Sequence, residues 1–295
     1  MSVFAAIVDG GSLSAAGRRL NVPLATVSRK LADLEAHLKT RLITRSTRKL
    51  VLTDAGRDYL AACRQILEQV DEAERTVSGA YAKVKGRLVI AAPIVFGRLH
   101  VVPVAAAFLE QHLEVDIQLR LGDRNVHLIE EHVDLALRIG ALPDSGLVAA
   151  QVGSIRSVVC ASPDYLHRFG TPRATGDLAA HRCISFEGPD AANAWTFAGR
   201  GGEKHQVAIH PRLTVSTADA AITASILGLG LTRVLSYQVA DALRDGRLVR
   251  VLADDEPQAV PASLVYPGQG RLPMKTRAFI DFAVGRIRDR LESVG

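Results

Sequence analysis

Within Ser12 to Gly56 one helix face offers a forked cation flanked by two hydroxyls and set among several small side chains. Val27, Leu31, Leu34 and Leu38 repeat at four, three and four residues and form a buried stripe, which turns Ala25, Arg29, Ala32 and Ala36 to the opposite face. Thr26 and Ser28 flank that face. Small side chains beside a guanidinium let a helix approach a groove closely, and Arg, Ser and Thr are groups that read base edges or bind phosphate oxygens. Arg29 is the residue favoured for a base contact. Ahead of it, a helix over 14–20 is followed by the turn Asn21-Val22, with Pro23 at the first position of the second helix, where a missing N–H is tolerated. This helix-turn-helix spacing makes Ser14, Pro23, Leu24, Ala25, Thr26, Ser28, Arg29 and Lys30 the candidate contacts. Beyond it, 42–45 and 49–53 can pair as a short wing whose tip brings Arg45, Thr47 and Arg48 toward a phosphate backbone.

A second constellation lies in the later part of the chain. Residues 93–97 follow a strand and open a helix, and Thr217 lies just before another, so backbone N–H groups from both can face a cleft. Ile94, Val95, Phe96, Asp123, Arg138, Gly140, Phe186, Thr217, Ala218 and Asp219 are the candidate ligand contacts. Arg138 reads either as a forked cation for an anion or as the partner of Asp123 or Asp134. Val95 and Phe96 make the mouth apolar, so the expected ligand is a small organic molecule with an aromatic or aliphatic portion, anions among the candidates. An enzyme is the rival reading, given nine His together with Cys160 and Cys183. No specific set supports it: Gly-x-Ser-x-Gly, His-Glu-x-x-His, a P-loop and a dinucleotide fingerprint are all missing, and Gly228-Leu229-Gly230 lacks a third glycine. His100, His127 and His132 read as surface or packed side chains. No catalytic residue, metal ligand or cofactor is assigned.

The elements that must position these groups fall into four zones: a basic helical head to about Thr53, one long helix to about Val84, an alternating strand and helix body, and a final helix. In the long helix Leu60, Cys63, Leu67, Val70, Val77, Tyr81 and Val84 follow a 3-4 alternation interrupted only by Glu74, a narrow seam suited to a partner helix. Thr53 is its expected N-cap and Gly86 its stop. The body predicts strands at 87–92, 116–121 and 134–139, with helices through Phe108 and Glu131 between them. Further strands are predicted at 157–161, 183–186, 207–213 and 231–234, and helices near 218–227 and 237–243. Continuous apolar strands joined by helices indicate mostly parallel sheets covered on both faces, arranged as two lobes with a cleft between. The fold class is therefore α/β overall: an all-α winged helix-turn-helix at 1–53, a linker helix for dimerisation at 54–85, and a two-lobed effector domain at 86–295 resembling a periplasmic binding protein. Lobe I covers about 86–160 and 266–295, lobe II about 161–265.

Charge separates the same zones. Residues 1–86 hold 14 Lys and Arg against 9 Asp and Glu, whereas 87–295 hold 22 of each, so the whole net charge of +5 belongs to the head. A local basic field of this kind suits a polyanion. The opening MSVFAAIVDGG has no basic region ahead of its apolar stretch and carries Asp9, which argues against an export signal and against a transported-solute receptor. No apolar run approaches about 20 residues, so no membrane span is expected, and the reading is a globular cytoplasmic protein. Cys63, Cys160 and Cys183 are odd in number and far apart, so buried thiols are expected rather than disulfides or zinc ligands.

The chain resembles the LysR-type transcriptional regulators through Ser12-Leu13-Ser14-Ala15-Ala16, Leu20, Val27-Ser28-Arg29, Leu34-Glu35, Leu38, Arg45, Leu52-Thr53 and Ala55-Gly56. The likeness continues through Gly86-Arg87-Leu88, the run from Asp134 to Gly140, Leu142-Pro143-Asp144-Ser145 and Gly228-Leu229-Gly230-Leu231. Two positions depart: Lys39 stands where the family often has Gly, and Val95 where a Ser or Thr often contacts ligand. The resemblance implies sequence-specific binding to double-stranded promoter DNA, modulation by a small effector, homodimers built on the linker helix that assemble into homotetramers, and RNA polymerase as a further partner.

Overall fold

The computed structural model describes residues 1–45, 50–77, 83–142, 146–186, 193–199, 203–268 and 272–292. Thr47, Arg48 and Tyr81, expected at the wing tip and the seam, lie outside them. The chain divides into two compact units, Met1–Gly86 and Arg87–Gly295.

The first unit opens with α1 (Ser2–Asp9), α2 (Leu13–Leu20) and α3 (Leu24–Leu38). Phe4 and Ile7 of α1, Ala16 of α2, and Val27 and Leu31 of α3 are buried together. Ser12 caps α2 by accepting the Ala15 N–H at 3.1 Å. Asn21 ends α2 in the left-handed region (φ 52°), a conformation its short amide tolerates. Pro23 is extended (φ −59°, ψ 146°) and stands as the N-cap of α3, so the helix starts one residue later than expected. Strands β1 (Ile43–Arg45) and β2 (Leu50–Leu52) pair antiparallel with Ile43 opposite Leu52, the predicted wing.

Next, α4 (Asp54–Val77) leads away with Asp54 in its first turn. The early part of its seam is consumed within the unit: Leu60 and Cys63 are buried in the same core as Phe4 and Ile7, and Leu67 packs against it, whereas Val70 is exposed. The cause is α1, which lies on α4 and covers its early turns. The expected extension to Val84 is not observed, since residues 83–85 are non-helical, and Gly86 (φ 102°) opens a strand rather than stopping a helix.

The second unit holds two five-stranded sheets. The first is built from β3 (Gly86–Ala92), β4 (Val115–Leu121), β5 (Leu135–Ile139), β6 (Leu147–Ile155) and, far along the chain, β14. Helix α5 (Ile94–Phe96) follows β3 and runs through a π-helical turn, Gly97–Val101, into α6 (Val102–Gln111). Together, Ile94–Gln111 is long and apolar enough by composition to cross a membrane, although the sequence leads one to expect no span. It is nevertheless a core helix, with Phe108 buried against Phe279, ring centroids 5.1 Å apart. The second sheet comprises β7 (Ser157–Ala161), β8 (Cys183–Phe186), β11 (Pro211–Val215), β12 (Leu231–Leu235) and β13 (Val249–Val251). Between these strands come α7 (Pro163–Phe169), a separate hairpin of β9 (Ala194–Ala198) and β10 (Lys204–Ala208), α8 (Ala218–Ile226) and α9 (Ser236–Arg244). Strand β14 (Val260–Pro267) and α10 (Met274–Glu292) complete the chain.

Strand orders are β4-β3-β5-β14-β6 and β11-β8-β12-β7-β13. Both sheets are mixed, not mostly parallel: β14 runs antiparallel to β5 and β6, and β7 antiparallel to β12 and β13. The antiparallel strands are those by which the chain crosses between sheets. Their pairing moves the lobe limits, since Ser157–Ala161 joins the second sheet and Val260–Pro267 the first. No helix forms between Leu121 and Glu131, where bends and turns occur instead, and the run predicted at 207–213 is two strands separated near Ile209 and His210. Gly230 is required where β12 passes β8, because a Cβ there would overlap the Arg182 carbonyl. Lys275, 4% exposed, ties α10 to the first sheet through the Arg87 carbonyl and Asp134 at 3.8 Å. Burial raises the Asp134 pKa despite that ammonium and the Val89 N–H it accepts.

Candidate functional site

The reading head presents the face expected of it. Ala25, Arg29, Lys30, Ala32 and Ala36 are exposed along α3, with Thr26 and Ser28 half-buried at the margin. Ser14 and Arg18, one turn apart on α2, share a groove of about 550 Å³ with Gly17, Asn21, Val22, Pro23 and Leu24. A hydroxyl, a guanidinium and the start of a 15-residue helix thus face one concave surface, an arrangement suited to a backbone phosphate. Arg18 and Asn21 are additions to the sequence-derived set. Helical spacing from Ser14 was the available signal for Arg18. Part of the basic field is spent internally, since Arg19 and Arg64 both pair with Asp9 and Arg57 pairs with Asp54.

The wing is fastened at its root. Oε1 of Glu35, on α3, accepts the N–H of Leu42 at 2.8 Å and of Ile43 at 3.1 Å. From the α4 side, Thr53 donates its hydroxyl to the Arg41 carbonyl at 2.7 Å and its N–H to that of Leu42 at 3.1 Å, while accepting the Gly56 N–H at 2.9 Å.

In the second unit, the residues expected around a cleft divide between floor and rim. Val95 (4% exposed) and Phe96 (0%) belong to the core, and only Ile94 reaches the surface, so the apolar mouth expected from Val95 and Phe96 is not formed by them. The first turn of the helix swings both inward. One amide at each of the two helix starts expected to meet an anion is already engaged: Asp123 accepts the Ile94 N–H at 3.0 Å, and Thr217 accepts the Ala220 N–H at 3.3 Å. Arg138 donates to the Val126 carbonyl at 2.8 Å, and its Nε is buried without an acceptor. The alternative of a pair with Asp123 or Asp134 is not what this geometry shows. Gly140 adopts φ 109° and donates to Pro261, Phe186 packs half-buried against the core containing Ala218, and Asp219 stands exposed on α8.

Across the two sheets, Arg98 reaches Asp219 at 3.8 Å, and Phe96 and His100 meet Tyr237 of α9 with ring centroids 5.2 and 5.6 Å apart. Both nitrogens of His100 are buried without partners, and the hydroxyl of Tyr237, also buried, interacts with Gln238 beside it on α9. Burial, reinforced by the charge of Arg290, pulls His100 down to about 4. Tyr237 is raised, by burial first and then by the Asp123 carboxylate. His100 is packed, one of the two readings open for it from sequence, whereas Arg98 and Tyr237 were not among the residues singled out for the site. His100 lies four residues after Phe96 on one helical face, but Tyr237 carries no local signal. The described residues contain no cluster of three or more potential metal ligands, and Cys63, Cys160 and Cys183 are buried thiols. Burial pushes Cys160 and Cys183 up to about 12, far from a nucleophilic thiolate.

Comparison with known proteins follows the same division. Residues 1–57 match the model of the bacterial regulatory helix-turn-helix protein, lysR family, and residues 82–288 that of the LysR substrate binding domain. The chain is 32% identical over 295 residues to the HTH-type transcriptional regulator CrgA of Neisseria meningitidis serogroup B, spanning 99% of this chain and 97% of that protein. It is 34% identical over 290 residues to an HTH-type transcriptional regulator of Xanthomonas campestris, spanning 97% and 84%. The structure of CrgA, described as a LysR-type transcriptional regulator, aligns with a TM-score of 0.62 at 31% identity over 99% and 97% of the two chains. Full-length AphB, the Vibrio cholerae virulence activator, aligns at 0.62 and 28% identity over 96% of each.

Proposed function

The chain belongs to the LysR family of DNA-binding transcriptional regulators, which carry a substrate-binding domain for effectors, and from that premise we propose how its own residues divide the work. Residues of α3, with Arg29 at their centre, enter the major groove, and Arg29 makes the base contact. Ser14, Arg18 and the start of α3 hold the backbone on one side, and Arg45, Thr47 and Arg48 of the wing hold it on the other. The observation that carries this reading is the exposed Ala25–Arg29–Ala32–Ala36 face beside a groove lined by Ser14 and Arg18. Promoter mapping of the purified protein, repeated with Arg29→Ala, tests it: the wild type should select discrete sites and the variant should lose that selection. Retention of the same sites would remove Arg29 from the reading role.

The family is one of regulators, not of enzymes, and no described residue set here calls for chemistry. We assign the effector site to the cleft between the two sheets of the second unit, around Ile94, Asp123, Arg138, Gly140, Phe186, Thr217 and Asp219, with Arg98 and Tyr237 added. Since the Ile94 and Ala220 amides are already capped, an anionic group on the effector has Arg98 or the unpaired Nε of Arg138 as its counterpart. Self-association uses the later turns of α4, where Val70 is exposed, giving dimers and then tetramers. A DNA target puts the protein in the cytoplasm, with RNA polymerase as the partner through which promoter binding acts.

A further inference from the structure

We propose that Glu35 is the positioning residue that aims the wing, so that the phosphate contacts of the wing depend on a carboxylate that never touches DNA. Glu35 lies on α3 on the half-buried side of the helix, away from Arg29. After it the chain reverses: Lys39 ends α3 in the left-handed region (φ 51°) and Thr40 donates back to the Glu35 carbonyl at 3.1 Å. Within one further turn of chain, Leu42 and Ile43 present consecutive N–H groups to the single oxygen Oε1 of Glu35. Two hydrogen bonds to one charged acceptor fix both the height and the direction in which β1 departs. The neighbouring carbonyls of Arg41 and Leu42 are gripped from the α4 side by Thr53. The strand that carries Arg45 therefore starts from a point defined by α3 and α4 together. A three-residue strand has little pairing of its own to hold a direction, so removing the α3 anchor leaves the wing attached but unaimed.

Charge gives the test its sign. Deleting an acidic group from a domain that binds a polyanion should tighten binding by electrostatics alone, whereas a misdirected wing should weaken it. The inference rests on the wing touching phosphates, so Arg45→Ala is measured in parallel. The probe is a mixed-sequence DNA duplex of about three helical turns, with full-length protein and affinity followed across a salt series. Arg45→Ala should lower the slope of log affinity against log salt by about 1 for each phosphate that the wing no longer neutralises. Glu35→Ala should lower it similarly and weaken binding severalfold, and combining it with Arg45→Ala should add less than the sum. Glu35→Gln keeps the acceptor oxygen without the charge and should bind as tightly as wild type or tighter, with an unchanged slope. Glu35→Asp keeps the charge but falls one methylene short, and should behave like Ala. Circular dichroism checks each fold; should Glu35→Ala not fold, the contrast between Asp and Gln decides. Wild-type slopes in Glu35→Ala and Glu35→Asp beside a reduced slope in Arg45→Ala would overturn the inference alone. An unchanged slope in Arg45→Ala would overturn the wing reading and this inference with it.

Discussion

At the scale of single residues, the two arginines of the reading head should differ in what their removal takes away. Replacing Arg29 by Ala should cost about 1–3 kcal/mol on a specific site and leave the salt slope nearly unchanged, as expected for a bidentate base contact. Arg18→Ala should instead weaken all sequences alike and reduce the slope by about 1. Competition binding with specific and scrambled duplexes distinguishes them, and an Arg18 variant that altered sequence preference would contradict the phosphate assignment. Lys39 offers a test free of DNA. It holds φ 51° where the resemblance leads one to expect Gly, and a Cβ in that region costs about 1 kcal/mol. Lys39→Gly should raise the urea midpoint of the first unit by a corresponding amount.

At the scale of elements, the junction of wing and linker helix depends on close backbone approach. A Cβ on Gly56 would overlap the Leu42 carbonyl oxygen, so Gly56→Ala must push α4 away from the wing root. The expected cost is about 1–3 kcal/mol, visible in thermal unfolding and in weakened DNA binding. Wild-type stability in this variant would mean that α4 can shift at no cost. Along the same helix the seam has two fates, buried in the protomer as far as Cys63 and exposed at Val70. Val70→Lys should therefore spare folding and break the dimer, because the new ammonium would have to be desolvated against the partner helix. Analytical ultracentrifugation checks the prediction; an unchanged sedimentation coefficient would place the dimer interface elsewhere.

Over the whole molecule, the second unit carries a pH dependence set where its sheets meet. His100 titrates near 4 when folded against an ordinary 6.5, so folding retains the neutral ring while the unfolded chain gains a proton as pH falls through 6.5. Stability from this group is full above that value, declines with acidification and is exhausted by about 4. The total is about 3 kcal/mol. Urea unfolding of wild type and His100→Leu across this range isolates the effect, because the opposing contribution of Asp134, whose pKa is raised, is common to both. Parallel pH profiles for the two proteins would show that His100 is not the titrating group.

How much of this was legible in advance depended on the distance over which each interaction acts. Helix periodicity, capping and charge are local, so the reading head followed directly from Val27, Leu31, Leu34, Leu38 and Arg29, as did the wing pairing and the basic field. Tertiary packing decided the rest. Whether the α4 seam faces a partner or its own protomer depended on α1 lying across it, and 3-4 spacing is the same in either case. The sheets were predicted mostly parallel because apolar strands alternated with helices, but β14 returns antiparallel into the first sheet from more than a hundred residues away, which no local pattern encodes. The helix amides near Ile94 and Ala220 looked open in sequence and are capped in space, the first by Asp123, 29 residues distant. His100, Arg98 and Tyr237 matter only because two sheets meet there. Sequence determines which groups are present and how they recur along an element; their partners are set by which elements touch, and that depends on burial summed over the whole chain.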